Sequence, residues 1–270
     1  MKQVRLFHIS DIHFGLEDTA VIAWVRDCVR RERPDAVAIT GDLTMRARHR
    51  EFAAATAWIG SLGVPVTVEV GNHDLPYFNL IERFVDPYRR FRALESAVDR
   101  AVRLPGVAII PLKTTARAQA RLNWSKGRVG LSSLAACLAA IDALPAGTRA
   151  LVACHHPLVE VGTHGNALTR GGERALAALA QRGVLAVLSG HVHDAFDIVH
   201  RTAHGPVRMI GAGTLSQRVR TTPAGFNELT FTEAGLAVNV RTMGAEPSPP
   251  RIHGDVPEDA NPPPATAALA

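Results

Sequence analysis

Apolar positions along this 270-residue chain fall into two alternating rhythms. Short runs rich in Val, Ile and Leu at residues 3–9, 35–40, 64–70, 107–112, 149–154 and 184–189 predict buried strands. Between them, apolar residues recur every three to four positions over 19–31, 48–61, 132–144 and 172–182, which predicts helices. Residues 77–103 form a longer, charged, helical-looking excursion. From 195 to 243 the helical period disappears and short strands separated by turns take over. Alternating β and α units predict parallel strands with helices outside, and the strand-only stretch predicts antiparallel strands that complete a second sheet. The expected fold class is α/β: a four-layer α-β-β-α sandwich of two mixed sheets flanked by helices, with 77–103 as a small helical cap insertion. Residues 1–243 form the expected domain. Residues 244–270, rich in Pro and Ala with few apolar anchors, read as a tail that cannot order itself.

Composition narrows the class. Hydrophobic residues make up 47% and charged residues 20%, ordinary values for a globular protein, and no apolar run is long enough to span a membrane. The start of the chain lacks the apolar stretch of a secretion signal. Three widely spaced cysteines, Cys28, Cys137 and Cys154, suit free thiols in a reducing compartment, so a cytoplasmic location is expected. The net charge is +5, and the acidic tail leaves the body more basic still. A basic field attracts phosphates, although an arginine-rich codon bias accounts for it equally well.

Five polar clusters each follow a predicted strand: Asp11-Ile12-His13, Gly41-Asp42, Gly71-Asn72-His73-Asp74, His155-His156-Pro157 and Gly190-His191-Val192-His193. Ligands of α/β sheets bind beyond the carboxyl ends of strands, so five such loops can converge on one crevice. Imidazoles and carboxylates without thiolates suit Mn, Fe, Zn or similar divalent ions. In an extended segment, D-x-H places both side chains on one side, within reach of one ion. His191 and His193 do the same unless their loop bends, in which case they serve different ions.

In that order, D-x-H, G-D, G-N-H-D, H-x-P and G-H-x-H resemble the calcineurin-like metallophosphoesterase superfamily, from Asp11 to His193. The resemblance implies two divalent metal ions. Asp11, His13, Asp42 and His193 would hold one, and Asp42, Asn72, His155 and His191 the other, with Asp42 bridging. His155 is preferred over His156, which would support a ligand from behind. The resemblance also implies that His73 faces the substrate as the acid for the leaving oxygen, oriented by Asp74, while a water shared by the ions attacks phosphorus.

Substrate choice must come from elsewhere. Arg170 and Asn123 are candidate substrate contacts, with Trp124 near the mouth. The arginines of 77–103 either bind an extended phosphate or pair with Glu82, Asp86, Glu95 and Asp99, and pairing is favoured. The leading function is a phosphodiesterase for a small or nucleotide-like ester, as in the cyclic-nucleotide and glycerophosphodiester branch. Alternatives are a sugar-nucleotide pyrophosphatase of lipid A synthesis working at a membrane surface, a nuclease (nucleic acid is not favoured, for want of an aromatic-basic groove) and a metal-binding scaffold without catalysis.

Overall fold

Strand β1 (Val4–Ile9) alternates Val4 and Leu6 toward one face with Phe7 and Ile9 toward the other, and all four are buried. Two buried faces mean that the strand lies inside a layered structure. The computed structural model describes residues 3–98, 102–119, 123–245 and 251–253. After β1 come α1 (Thr19–Glu32), β2 (Ala36–Ile39), α2 (His49–Gly60) and β3 (Val66–Val68), with β1, β2 and β3 parallel. Asp18 caps α1 by accepting from the N–H groups of Ala20 and Val21. Arg33, in the left-handed region just before Pro34, ends it. Strands β4 (Val107–Pro111), β5 (Arg149–Ala153) and β6 (Ala186–Ser189) repeat the parallel pattern around α5 (Leu131–Asp142) and α6 (Gly172–Ala180).

The strand-only stretch divides between both sheets. β7 (Phe196–Thr202) and β8 (Gly205–Gly211) join the second sheet, in the order β4-β5-β6-β8-β7, with β8 parallel to β6. β9 (Gly225–Thr232) and β10 (Gly235–Thr242) return to the first sheet, where β9 pairs antiparallel with β1. Three apolar clusters define four layers. One, with Leu6, Ala38, Leu151, Leu188, Ile210 and Phe231, lies between the sheets. A second packs Phe7, Ile39 and Val68 under α1 and α2, and the third packs Val152, Val187 and Met209 under α5 and α6. This is the α-β-β-α sandwich of two mixed sheets that the strand and helix rhythm predicts.

Two expectations need correcting. The excursion at 77–103 is not one cap: Pro87 forces Asp86 out of the helical region (φ −149°) and separates α3 (Leu80–Val85) from α4 (Arg89–Val98). Helix α4 buries Phe91, Leu94 and Val98 in the cluster under α1 and α2, so only the stretch around α3 stands at the surface. Residues 99–101 lie outside the described residues. The segment after 243 is not wholly apart from the fold. Arg251–His253 forms β11, which pairs with β10, whose outer edge offers free backbone groups. The rest of the expected tail, 246–250 and 254–270, lies outside the described residues. Among the described residues, no helix is long and apolar enough to cross a membrane.

Candidate metal centre

The loops that follow β1, β2, β3, β5 and β6 meet at the carboxyl edge of both sheets. The backbone stitches them together: the Asp11 N–H donates to Gly41 O (3.1 Å), and the Gly190 N–H to His155 O (2.9 Å). Where they meet, there is no room for side chains at the glycines. A Cβ on Gly71 would lie 2.1 Å from the Asp42 nitrogen, and one on Gly190 only 1.8 Å from Ser10 Oγ.

Asp11, His13, Asp42, His191 and His193 all have positive φ, between 50° and 70°. Such conformations cost on the order of 1–3 kcal/mol each for non-glycine residues and concentrate where function demands a particular side-chain direction. The D-x-H pair therefore does not converge by alternation along an extended strand, as the spacing suggests. The chain turns at both residues, Ile12 is buried between them, and His13 Nε2 comes within 3.6 Å of Asp11 Oδ1. The His191–His193 loop bends as well. His193 Nε2 joins Asp11 Oδ1 (3.2 Å) and His13 Nε2 (3.2 Å), whereas the His191 ring stacks near His155 and His156.

Asp42 lies at the middle. Its Oδ2 is 3.3 Å from His155 Nε2 and 3.7 Å from His13 Nε2, and its Oδ1 accepts the His73 N–H at 2.8 Å. Asn72 Oδ1 lies 3.1 Å from His155 Nε2. Asp11, His13 and His193 form one group whose donor atoms lie within 4.8 Å of one another. Asp11, Asp42 and His155 form another, and His155, His156 and His191 a third. His73 falls in a fourth, with His13 and Asp42.

The ring nitrogens are sorted by their outer partners. His155 Nδ1 faces Thr40 O (2.8 Å) and His193 Nδ1 faces Arg218 O (2.9 Å). Each carbonyl draws the ring proton outward and leaves the Nε2 lone pair inward, as metal-binding imidazoles require. His156 has no nitrogen left: Nδ1 meets Thr114 Oγ1 (2.9 Å) and Nε2 meets Ser125 O (2.7 Å).

The donor set suits a cation. Asp11 Oδ1 is buried with no hydrogen bond of good geometry, and the Nε2 atoms of His13 and His193, both turned toward it, face each other. Buried orphan acceptors are costly unless something positive satisfies them. Protonation tells the same story. Burial works against a proton on His155, but the Asp42 and Asp11 carboxylates overcome it and raise the ring to about 9. Asp11 is held well below the usual carboxylate range, because His193 and His13 outweigh burial. Burial, followed by His155, pushes His156 down to about 3. Divalent ions here would displace the protons of His155 and His193.

The Asp74 carboxylate bonds to the backbone and hydroxyl groups of neighbouring loops and not to the His73 ring. It is fully buried, with Oδ1 accepting from Thr44 N (2.8 Å) and Thr44 Oγ1 (2.9 Å) and Oδ2 from Gly71 N (2.9 Å) and Leu43 N (3.2 Å). It ties the Asp42 loop to the Asn72 loop. Burial and the charge of Asp42 push its carboxyl up to about 7, against the pull of those donors. His73 is instead aligned by Met45 O at Nδ1 (2.8 Å), and its Nε2 accepts from Arg218 Nη1 (3.2 Å).

A polar cavity of about 320 Å³ opens over the cluster, walled by Asp42, Asn72, His73, His191 and His193 and by Asn123, Lys126, His164, Arg218 and Arg220. Asn123 thus reaches the site. Arg170 does not line it: the residue is exposed, and its backbone is tied into a bridge with Arg128 and Gly127. Arg218, Arg220 and Lys126 escaped the sequence reading. For the two arginines the missing signal was the direction of β8, which runs parallel to β6 and ends its loop at the same carboxyl edge; Lys126 comes instead from the segment between β4 and α5. The arginines around α3 and α4 are mostly engaged, Arg89 and Arg90 with Glu82 and Arg92 with Asp86.

A profile of the family described as calcineurin-like phosphoesterase matches residues 4–195. A glycerophosphodiester phosphodiesterase from Enterobacter lignolyticus is 35% identical over 80 residues, 26% of this chain and 29% of that protein, so the match spans under a third of that relative's length. A "probable cyclic nucleotide phosphodiesterase" from Synechococcus is 27% identical over 215 residues, 72% of this chain and 74% of that one. Among solved structures, a dimetal phosphatase from Danio rerio superposes with a TM-score of 0.65 at 15% identity, covering 88% of this chain and 96% of its own. At that identity the likeness speaks for the fold alone. With the sandwich, the loop edge and the profile in agreement, the chain belongs to the calcineurin-like phosphoesterase family.

Proposed function

We propose that residues 4–243 form a metal-dependent phosphodiesterase acting on a small phosphate ester. One observation carries the reading: carboxylate, amide and imidazole donors from both sheets converge below a single basic, polar cavity. In this reading Asp11, His13, Asp42 and His193 hold one divalent ion, and Asp42, Asn72, His155 and His191 the other. The position of Asp42 between His13 and His155 supports its role as the shared ligand. When bound, a Mn, Fe or Zn pair supplies charge neutralisation for phosphate oxygens and acidifies a water.

The chain's own residues do the rest. Arg218, pointing into the cavity, binds a non-bridging phosphate oxygen, with Arg220, Lys126 and Asn123 lining the approach. His73, held by the Met45 carbonyl at Nδ1, presents Nε2 to the leaving oxygen and would donate there once Arg218 has turned from Nε2 to the phosphate and Nε2 has taken up a proton. Asp74 fixes the loop that carries His73. The relatives' names, glycerophosphodiester and cyclic nucleotide phosphodiesterase, favour a diester over a monoester. Three buried, unpaired cysteines suit a reducing cytoplasm.

The test is elemental analysis of the purified protein combined with turnover of bis(p-nitrophenyl) phosphate and p-nitrophenyl phosphate in the presence of Mn, Fe or Zn. About two ions per chain and chelator-sensitive hydrolysis of the diester are expected. Two retained ions with no turnover of either ester would overturn the enzymatic reading in favour of a scaffold.

A further inference from the structure

Beside the polar cavity lies a larger one of about 760 Å³, within the size range of small-molecule sites. Asn72, His73, Asn123 and Ser125 belong to both walls, so the two are lobes of one site. The chemistry of the second lobe is different. Its wall is built from Met45, Leu75, Tyr77, Phe78, Leu80 and Trp124. Tyr77, Phe78 and Leu80 are 74%, 69% and 61% exposed, and Ile81 and Val85 extend the apolar surface outward. A contiguous apolar surface of this kind marks a binding site more often than a chance cluster.

Several polar groups of this lobe are turned to other duties, which leaves the Tyr77 hydroxyl and the Asn123 amide N–H groups. Arg83 is buried and donates to the carbonyls of Ala116 and Arg117, with its guanidinium over the Trp124 ring. Asn123 Oδ1 already accepts from Ser125 N–H and Oγ–H. Arg46 lies over Phe78 at the rim. Little remains to read the hydrogen-bonding edge of a nucleobase, and a site that selects such an edge needs matched donors and acceptors. The wall instead offers flexible thioether, aliphatic and aromatic surface, which suits a hydrocarbon.

We infer that this lobe holds an apolar organic arm of the phosphoester, a hydrocarbon chain of several carbons, while its phosphate sits in the polar lobe beside His73 and Arg218. The inference rests on the phosphodiesterase reading and narrows it: the substrate is amphiphilic, and the α3 segment selects its tail.

A series of n-alkylphosphonates from methyl to octyl, kept below micelle-forming concentrations, tests this as competitive inhibitors of bis(p-nitrophenyl) phosphate hydrolysis by the metal-loaded protein. Each added methylene is expected to lower the inhibition constant by about fourfold, the effect of burying a CH₂ group. Phe78→Ser and Leu80→Ser, both at mostly exposed positions, are expected to collapse the octyl-to-methyl ratio severalfold with the circular dichroism spectrum preserved. A flat series would overturn the inference, as would a chain-length dependence that both variants leave intact. Adenosine 5′-phosphate inhibiting better than octylphosphonate would return the lobe to a nucleobase. Dimerisation abolished by Phe78→Ser, together with a flat series, would assign the patch to a second copy of the chain. If the protein hydrolyses no ester, calorimetric titration of the same phosphonates still reads the lobe, so failure of the catalytic reading and failure of this one remain distinct.

Discussion

Replacing Asp74 by Asn probes what the G-N-H-D carboxylate does. The wild-type carboxylate takes four hydrogen bonds, two on each oxygen, from Thr44, Gly71 and Leu43. Asparagine keeps one acceptor oxygen and presents an NH₂ group where the other was. In its best orientation the Thr44 bonds survive, and two backbone N–H groups face a donor inside a fully buried site. Two lost bonds to a charged acceptor amount to roughly 3–6 kcal/mol. Asparagine also escapes burial of a charge beside Asp42, which offsets roughly 2 kcal/mol. A net loss of about 1–4 kcal/mol follows, above the ±0.5 kcal/mol of a neutral surface change. Urea unfolding of chelator-treated wild type and Asp74→Asn at pH 7.5 measures it, with an unchanged m-value required for the comparison. A difference under about 0.5 kcal/mol, accompanied by a displaced pH–rate profile, would refute the loop-tying role and restore Asp74 as the partner of His73.

Asp42→Ala is expected to lose both metal retention and turnover, as read by elemental analysis and diester hydrolysis; full occupancy and rate would remove Asp42 from the shared position. Arg218→Met is expected to lower kcat/KM by about 10²-fold, the scale of losing one transition-state donor, with a change under threefold refuting its phosphate contact. Buried His8, bonded to Thr40 and Asn227, is pushed down to about 3 by burial. Its folded value lies below the unfolded one, so the unfolded chain gains a proton that the folded chain refuses. The contribution is whole above pH 6.5 and is lost at about 1.4 kcal/mol per pH unit as pH falls toward 3. The His8→Gln variant should show a shallower decline in unfolding free energy between pH 6.5 and 5, and identical slopes would refute the assignment.

The layers were legible because burial on one face or two writes itself into the spacing of apolar residues, as in Val4–Ile9 and Ala36–Ile39. The five loop clusters were legible because each directly follows a predicted strand, and the carboxyl ends of such strands share one edge. What spacing does not encode is backbone handedness: nothing in Asp11-Ile12-His13 reveals the positive φ at both ends, so convergence was predicted for a different reason. Contact between loops was equally hidden. Asp74 adjoins His73 in sequence yet bonds to residues about thirty positions away. Arg170 looked close to the site by following His155-His156-Pro157, but its backbone pairing turns it outward. Pro87 was a visible break that the charge pattern of 77–103 obscured.

The pairing of β9 with β1 has a consequence for the order of events during synthesis. β1 emerges from the ribosome first, but its neighbour on one side begins only at Gly225. The loop holding Asp11 is also fastened late: the Asp11 carbonyl accepts from Thr214 Oγ1 (2.7 Å) and from the Leu215 N–H (3.2 Å). His193 likewise awaits the Arg218 carbonyl that orients its ring. A nascent chain therefore displays Asp11 and His193, two of the proposed ligands, before the groups that fix them have been made. A ribosome stalled before Gly225 would hold a product whose first strand has an open edge beside the unfastened Asp11 loop.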